Sequence, residues 1–596
     1  MLSLSVLFVQ FPRPRPQVPT ISKRFTIRTE MNAAQEAKCE GQWPYAAGYE
    51  NCPEVLEPIA MMVSGTIPPW LQGVLYRSGP GTYDLKTESG KDIHIQHWFD
   101  GLAQVHRYEI QKGGKVLYRS RNTSNGLRER YEKAEAITDV TFCQRDPCKT
   151  IFNKFFTTFK TAALGRPPLE RANTNVAVMP TVNFPGLKEC YDSDDSMDSI
   201  KRQKHKNART LGAHNLVVTT DGHAIQELDA VTLEPCRTFD YGDIDDSLHS
   251  SQLASAHPCI DPETGEYFTV LLTFGRTTTY KVVRIQSHSQ GTHLEPDLEV
   301  LAEIQSPRPT YMHSFAMTKR YVVVAHWQCD FAAWGASVLW YGNAWESFRG
   351  HDKKLKSQFY VVDRMRHRHV AIFECEPYYA FHTINAWDEG DHIFVDLAAY
   401  KDHTVIGDYY IDNLRNEMSG KPPQQAVLRR YKLSSISKHA PSSRKTPPKP
   451  APAEIAFQLD ESMNFELPSI NPGRYFKSYQ YVYGVNRSGL NKTLIYDRII
   501  KVDLHKVAKG DQTECAHFWM EDQCTPSEPV FVPTPNATKE DDGVLLSIVL
   551  DGRRRTGFLL ILNAQTLEEM ARADMPEGNI APHSFHGVFV PNLKTK

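Results

Sequence analysis

Short apolar runs of strand length, separated by Gly, Pro, Asp and Asn, recur along almost the whole chain. They include residues 73–77 (GVLYR), 103–110 (AQVHRYEI), 116–120 (VLYRS), 216–220 (LVVTT) and 267–273 (YFTVLLT). The same pattern continues at 321–325 (YVVVA), 359–363 (FYVVD), 392–396 (HIFVD), 544–550 (VLLSIVL) and 557–562 (GFLLIL). Each run suits one strand and is too short for an ordinary helix. Many such strands with few helical stretches predict an all-β chain, and the length of 596 residues favours a propeller over a sandwich or small barrel.

Three segments depart from this pattern. Residues 146–159 (DPCKTIFNKFFTTF) space apolar residues helically behind a proline in the first turn, which predicts a helix. Core packing would explain it, and so would an amphipathic segment dipping into a membrane beside a site for an apolar substrate. Residues 191–209 and 434–452 are too polar or too rich in proline to bury a core, and read as surface insertions.

Composition narrows the classes. With 41% hydrophobic, 11% aromatic and 23% charged residues the chain can bury a sizeable core. A formal charge of −2 gives no reason to expect nucleic acid. Eleven cysteines are scattered without a CxxC pair, which suits a reducing compartment. No run reaches the roughly 20 apolar residues that a membrane-spanning helix needs. Residues 1–38 read as a disordered tail or a transit peptide, since Arg13, Arg15, Lys23, Arg24 and Arg28 precede the first acidic residue, Glu30. Pro12, Pro14, Pro16 and Pro19 oppose a continuous targeting helix there. The expected organisation is one domain over residues 39–596, cytoplasmic and in peripheral contact with membranes, with the mitochondrion as the alternative.

Of 23 histidines, most are expected to be ordinary hydrogen-bonded residues, among them His94, His97, His367, His369 and His403. Four stand in or beside short apolar strings: His257 in SAHPC, His313 in YMHSF, His382 in FHTIN and His586 in SFHGV. A closed, repetitive β-fold builds one metal centre from sites spread along the chain in this way. Around them lie GTIPPWL (65–71), RSGPG (77–81), HWFDG (97–101), DPCK (146–149), SEPVFV (527–532) and EDDGV (540–544). In that order these strings resemble the carotenoid cleavage oxygenase family, which includes the animal β-carotene oxygenases and a retinoid isomerohydrolase. The resemblance runs from about residue 45 onward, outside the two insertions.

The resemblance implies a seven-bladed β-propeller with a helical and loop cap over an axial Fe(II) site. The four ligands it implies are His257, His313, His382 and His586, and His583 is not at the motif position. A metal-bound imidazole needs its second nitrogen held by a carboxylate or carbonyl. By resemblance Glu466 would hold His382, Glu528 would hold His586, and Asp221 would hold His313, with Glu227 as the alternative if the backbone does not carry the shorter Asp inward. His257 would have no carboxylate. The implied reaction is oxidative scission by O2 of one double bond in a carotenoid or apocarotenoid, giving aldehydes such as retinal. Phe99, Phe331, Trp334, Trp340, Tyr341 and Trp345 are the pool for an aromatic tunnel around such a polyene. Cleavage of a stilbene such as resveratrol, ester cleavage with isomerisation without O2, and a non-enzymatic propeller with structural histidines are the other readings.

Overall fold

The computed structural model describes residues 43–144, 174–187, 212–290, 293–420, 422–443 and 446–592. Residues 146–159 and 191–209, with their predicted helix and insertion, lie outside the described residues, as do residues 1–38.

Seven sheets of four to six strands, antiparallel except for one added edge strand, make the seven blades of a β-propeller, with one small extra hairpin. In the blades that follow one another simply, the chain enters on a short innermost strand and works outward. Thus Glu466–Ser469, Tyr481–Asn486, Arg498–Asp503 and Ala516–Trp519 are paired in sequence order. Two blades close the ring by borrowing from both ends of the described chain. His586–Pro591 is the innermost strand of the blade built on Gly73–Thr82, and Met62–Gly65 is the outermost strand of the blade built on Gly543–Asp551.

Burial follows this order. The second strands are sandwiched between neighbours, and all ten residues of Gly73–Thr82 and all nine of Gly543–Asp551 are buried. That explains their near-continuous apolar runs, which a half-solvated strand would break with alternating polar residues. The innermost strands are partly exposed, as in His586–Pro591 and Glu466–Ser469.

The expected insertion at 434–452 takes part in the fold at two points. Ile436–His439 forms a helical turn with Ile436 buried, and Pro450–Pro452 adds a parallel strand beside Arg368–Cys375. Proline is tolerated there because an edge strand can leave one side of its backbone unpaired. Described cysteines such as Cys52, Cys329 and Cys524 are free thiols, and Cys236 is disulfide-bonded. Among the described residues no helix is long and apolar enough to cross a membrane.

Candidate metal centre

The four histidines stand at the inner ends of four blades. His313 and His382 immediately precede the innermost strands Ala316–Met317 and Thr383–Glu389, His586 opens its strand, and His257 lies between Leu253–Ala254 and Cys259–Ile260. Neighbouring blades are stitched together at this level. His257 N donates to His313 O, Ser314 Oγ donates to Phe381 O, and Thr383 N donates to Ser314 Oγ.

One potential ligand atom of each ring falls within 4.8 Å of all the others. His257 Nε2 is 3.1 Å from His313 Nε2, and His382 Nε2 is 3.2 Å from His586 Nε2. Behind three of the rings stands a carboxylate. Nδ1 of His382 is 2.6 Å from Glu466 Oε2, that of His313 is 2.8 Å from Asp221 Oδ1, and that of His586 is 3.0 Å from Glu528 Oε1. Among the described residues His257 has no such carboxylate partner.

These contacts fix the tautomer. Each Nδ1 donates its proton to the carboxylate, leaving Nε2 as a bare lone pair directed inward. Lone pairs facing one another at this distance repel unless a cation lies between them. Burial, reinforced by the neighbouring imidazoles, holds His257 and His586 well below the usual imidazole range, so both stay neutral and ready to bind metal. On an ion with bonds of about 2.1 Å, ligands at right angles lie roughly 3 Å apart, as the two close pairs do. The donor set therefore fits a divalent transition metal such as iron, zinc or copper.

Asp221 reaches His313 although it is one methylene shorter than Glu. The turn that carries it is drawn inward: Asp221 O accepts from Ala254 N, and Gly222 bridges to Leu253 in the next blade. Glu227, the alternative, instead pairs with Arg237 at 2.6 Å. Two groups around the carboxylates were not foreseen. The Tyr311 hydroxyl is 3.2 Å from His313 Nδ1. The wholly buried Arg77 guanidinium donates to Glu528 Oε2 at 3.0 Å and to the carbonyls of Glu528 and Phe585. Burial pushes the Glu528 carboxyl upward, and Arg77 opposes that shift. RSGPG could have flagged this arginine, since a charge inside a buried strand requires a partner.

An aromatic layer covers the histidines. Phe99 lies 5.7 Å from both Phe381 and Phe585, Trp98 lies 5.0 Å from Phe585, and Phe381 lies 5.7 Å from His313. His97 holds the turn that presents them, with Nε2 2.8 Å from Ile406 O and Nδ1 accepting from Phe99 N. Of the proposed tunnel residues only Phe99 borders the site directly. Phe331 is buried farther out, against Phe348 and Phe274. Trp345 packs near His403. Trp334, Trp340 and Tyr341 are 51%, 41% and 41% exposed on the short helical segment Ala332–Tyr341, so they do not line an enclosed tunnel. Ala333 and Trp334 take left-handed backbone angles there, which turns the Trp334 ring outward.

The family profile described as "Retinal pigment epithelial membrane protein" matches residues 49–591. The chain belongs to the carotenoid oxygenase family. Within this family it is 33% identical to a torulene dioxygenase from Gibberella fujikuroi, over 92% of this chain and 94% of that protein. It is 29% identical to the mouse β,β-carotene 15,15′-dioxygenase, over 91% of each. Among solved structures it is similar to a mutant of the Synechocystis apocarotenoid oxygenase, with a TM-score of 0.67 and 20% identity, over 92% of this chain and 99% of the other.

Proposed function

We propose that this protein is a non-haem Fe(II) dioxygenase that cleaves one double bond of a carotenoid or apocarotenoid with O2 and releases aldehydes, retinal among them. The observation that carries this reading is four imidazoles converging beneath an aromatic layer, three of them oriented by carboxylates. Relatives with high coverage that are named torulene dioxygenase and β,β-carotene 15,15′-dioxygenase support the substrate class.

His257, His313, His382 and His586 would hold the iron, which when bound supplies the coordination and activation of O2. With no carboxylate among the ligands, the ion keeps its full positive charge. Glu466, Glu528 and Asp221 keep the Nδ1 protons away from the metal side and fix each ring plane. Arg77 pairs with Glu528 and holds it in place. The rings of Phe99, Phe381 and Phe585 exclude water and present an apolar face to the polyene. We place the protein in the cytoplasm in peripheral membrane contact. The exposed Trp334 and Trp340 support that contact, and Thr141, close to the 146–159 segment, bridges to Asn343 beside them.

The decisive experiment incubates purified, iron-loaded protein separately with β-carotene, an apocarotenal and resveratrol under labelled O2. Labelled aldehydes from a carotenoid or apocarotenoid are expected. Products from resveratrol alone, or unlabelled products, would overturn the reading. In parallel, His313→Ala and His382→Ala should abolish bound iron by metal analysis.

A further inference from the structure

The last histidine reaches the centre on a connector that belongs to no sheet. Residues 575–585 form neither helix nor strand between the outermost strand Glu569–Asp574 of one blade and His586, which opens the innermost strand of the next. No ladder fixes Ile580 to Ser584, so their backbone groups are held from elsewhere. Much of that hold comes from the opposite end of the described chain.

Residues 43–52 cross the connector as a strap. Pro44–Tyr49 is one short helical segment in which Tyr45, Ala47, Gly48 and Tyr49 are buried. Gly48 O accepts from His583 N at 3.1 Å, and Cys52 Sγ donates to Ile580 O at 3.3 Å. The remaining hold on His583 is Trp98 Nε1, which donates to its carbonyl at 3.2 Å. The strap has anchors of its own, so it does not merely follow the connector. Tyr49 O accepts from Arg415 Nη2 at 2.6 Å, Arg415 pairs with Asp84, Cys52 N donates to Gly81 O, and Glu50 pairs with Arg555.

At one point strap and connector touch without slack. The His583 ring is buried against Gly48 and against the Tyr49 ring, whose centroid is 4.8 Å away. A Cβ on residue 48 would fall 2.3 Å from Cδ2 and 2.6 Å from Nε2 of that ring. Gly48 does not have a left-handed backbone, so its own conformation would accept alanine and only the His583 ring forbids it. Two residues beyond His583 stands Phe585, whose ring belongs to the aromatic layer, and His586 follows. The ladder takes over only at Phe585 N, which donates to Ser78 O. A displacement of about 0.5 Å handed on to these first ladder residues is enough to disturb a metal site.

We propose that the 43–52 strap, acting on His583 through Gly48 and Tyr49, is the positioning element for His586 and for the Phe585 ring. It sets the reach of the fourth imidazole to the metal and the placing of one aromatic wall against the polyene. The second of these rests on the function proposed above, and the first does not.

The test uses the full-length protein with Gly48→Ala, His583→Ala and the two combined. Metal affinity is read by chelator competition with Fe(II), ligand geometry by the absorption bands of the Co(II) form, and substrate binding by KM for a carotenoid beside kcat. Gly48→Ala should weaken metal binding by about tenfold and shift the Co(II) bands. It should also raise KM for the carotenoid by about threefold. The double variant, with no ring to push, should return to the values of His583→Ala alone. Wild-type affinity in Gly48→Ala, or a loss that the double variant does not restore, would overturn the proposal. So would a lower melting temperature at unchanged metal affinity, the mark of a strap that only stabilises the fold. Should Gly48→Ala fail to fold, Tyr49→Leu keeps Gly48 and removes the ring behind His583. Its metal affinity should fall by about threefold, and an unchanged value overturns the proposal. A wild type that cleaves no carotenoid overturns the functional reading instead, and the metal measurements still decide the strap.

Discussion

His583 and His586 stand three residues apart in one buried stretch, and the structure gives them opposite circumstances. His586 has Glu528 behind Nδ1 and faces His382 across the centre. His583 is equally buried, but its ring lies 4.8 Å from Tyr49, its Nε2 has no partner, and only its backbone is engaged, by Trp98 Nε1 and Gly48 O. A Cβ on Gly48 would come within 2.3 Å of the His583 ring, so that ring is wedged as an apolar body. Burial and the neighbourhood of a metal site therefore do not make a ligand. What distinguishes His586 is a ring nitrogen that converges on the other three imidazoles, with the second nitrogen held by Glu528.

This contrast can be broken most directly by removing each ring. His586→Ala should lower metal affinity by more than about 100-fold, whereas His583→Ala should keep stoichiometric metal, both read by metal analysis after dialysis. Next in size, Glu528→Gln should weaken metal retention by about 10- to 100-fold in a chelator competition, because the amide no longer enforces the tautomer. A variant that held iron as tightly as wild type would mean that Glu528 serves only Arg77. The smallest effect concerns acid. Burial lowers the folded-state pKa of His583 to about 3 from 6.5. Between those values the unfolded chain takes up a proton that the folded chain refuses, so stability present above pH 6.5 is lost as pH falls. His583→Leu should flatten that slope by roughly 1 kcal/mol per pH unit in urea denaturation of the metal-free protein.

Sequence was most informative where chemistry and pattern coincide. The long second and third strands announced themselves as apolar runs, and the four histidines and Glu466 and Glu528 were legible from their strings. The innermost strands were not, because Leu253–Ala254 and Ala316–Met317 are two residues long and carry no periodicity. Asp221 was named from the strings with Glu227 as its alternative, and the cross-blade bridge at Gly222 is what carries the shorter side chain to His313. Aromatic content does not tell which way a ring points: Trp334, Trp340 and Tyr341 are each more than a third exposed, with left-handed backbone angles at Ala333 and Trp334. Arg77 could be flagged as a charge in an apolar run but its partners could not, because they lie hundreds of residues away, as with Phe585 at a separation of 508.

Closure of the ring also orders events in time. His586 pairs with Ser78 in the register that joins the innermost strand to its blade. Until residues 586–591 lie against 73–82, only three imidazoles can be assembled. Pairing over so long a separation is among the slow steps of folding. The full four-imidazole site is then complete only when the fold is, and a metal ion bound there should resist peeling of that final strand.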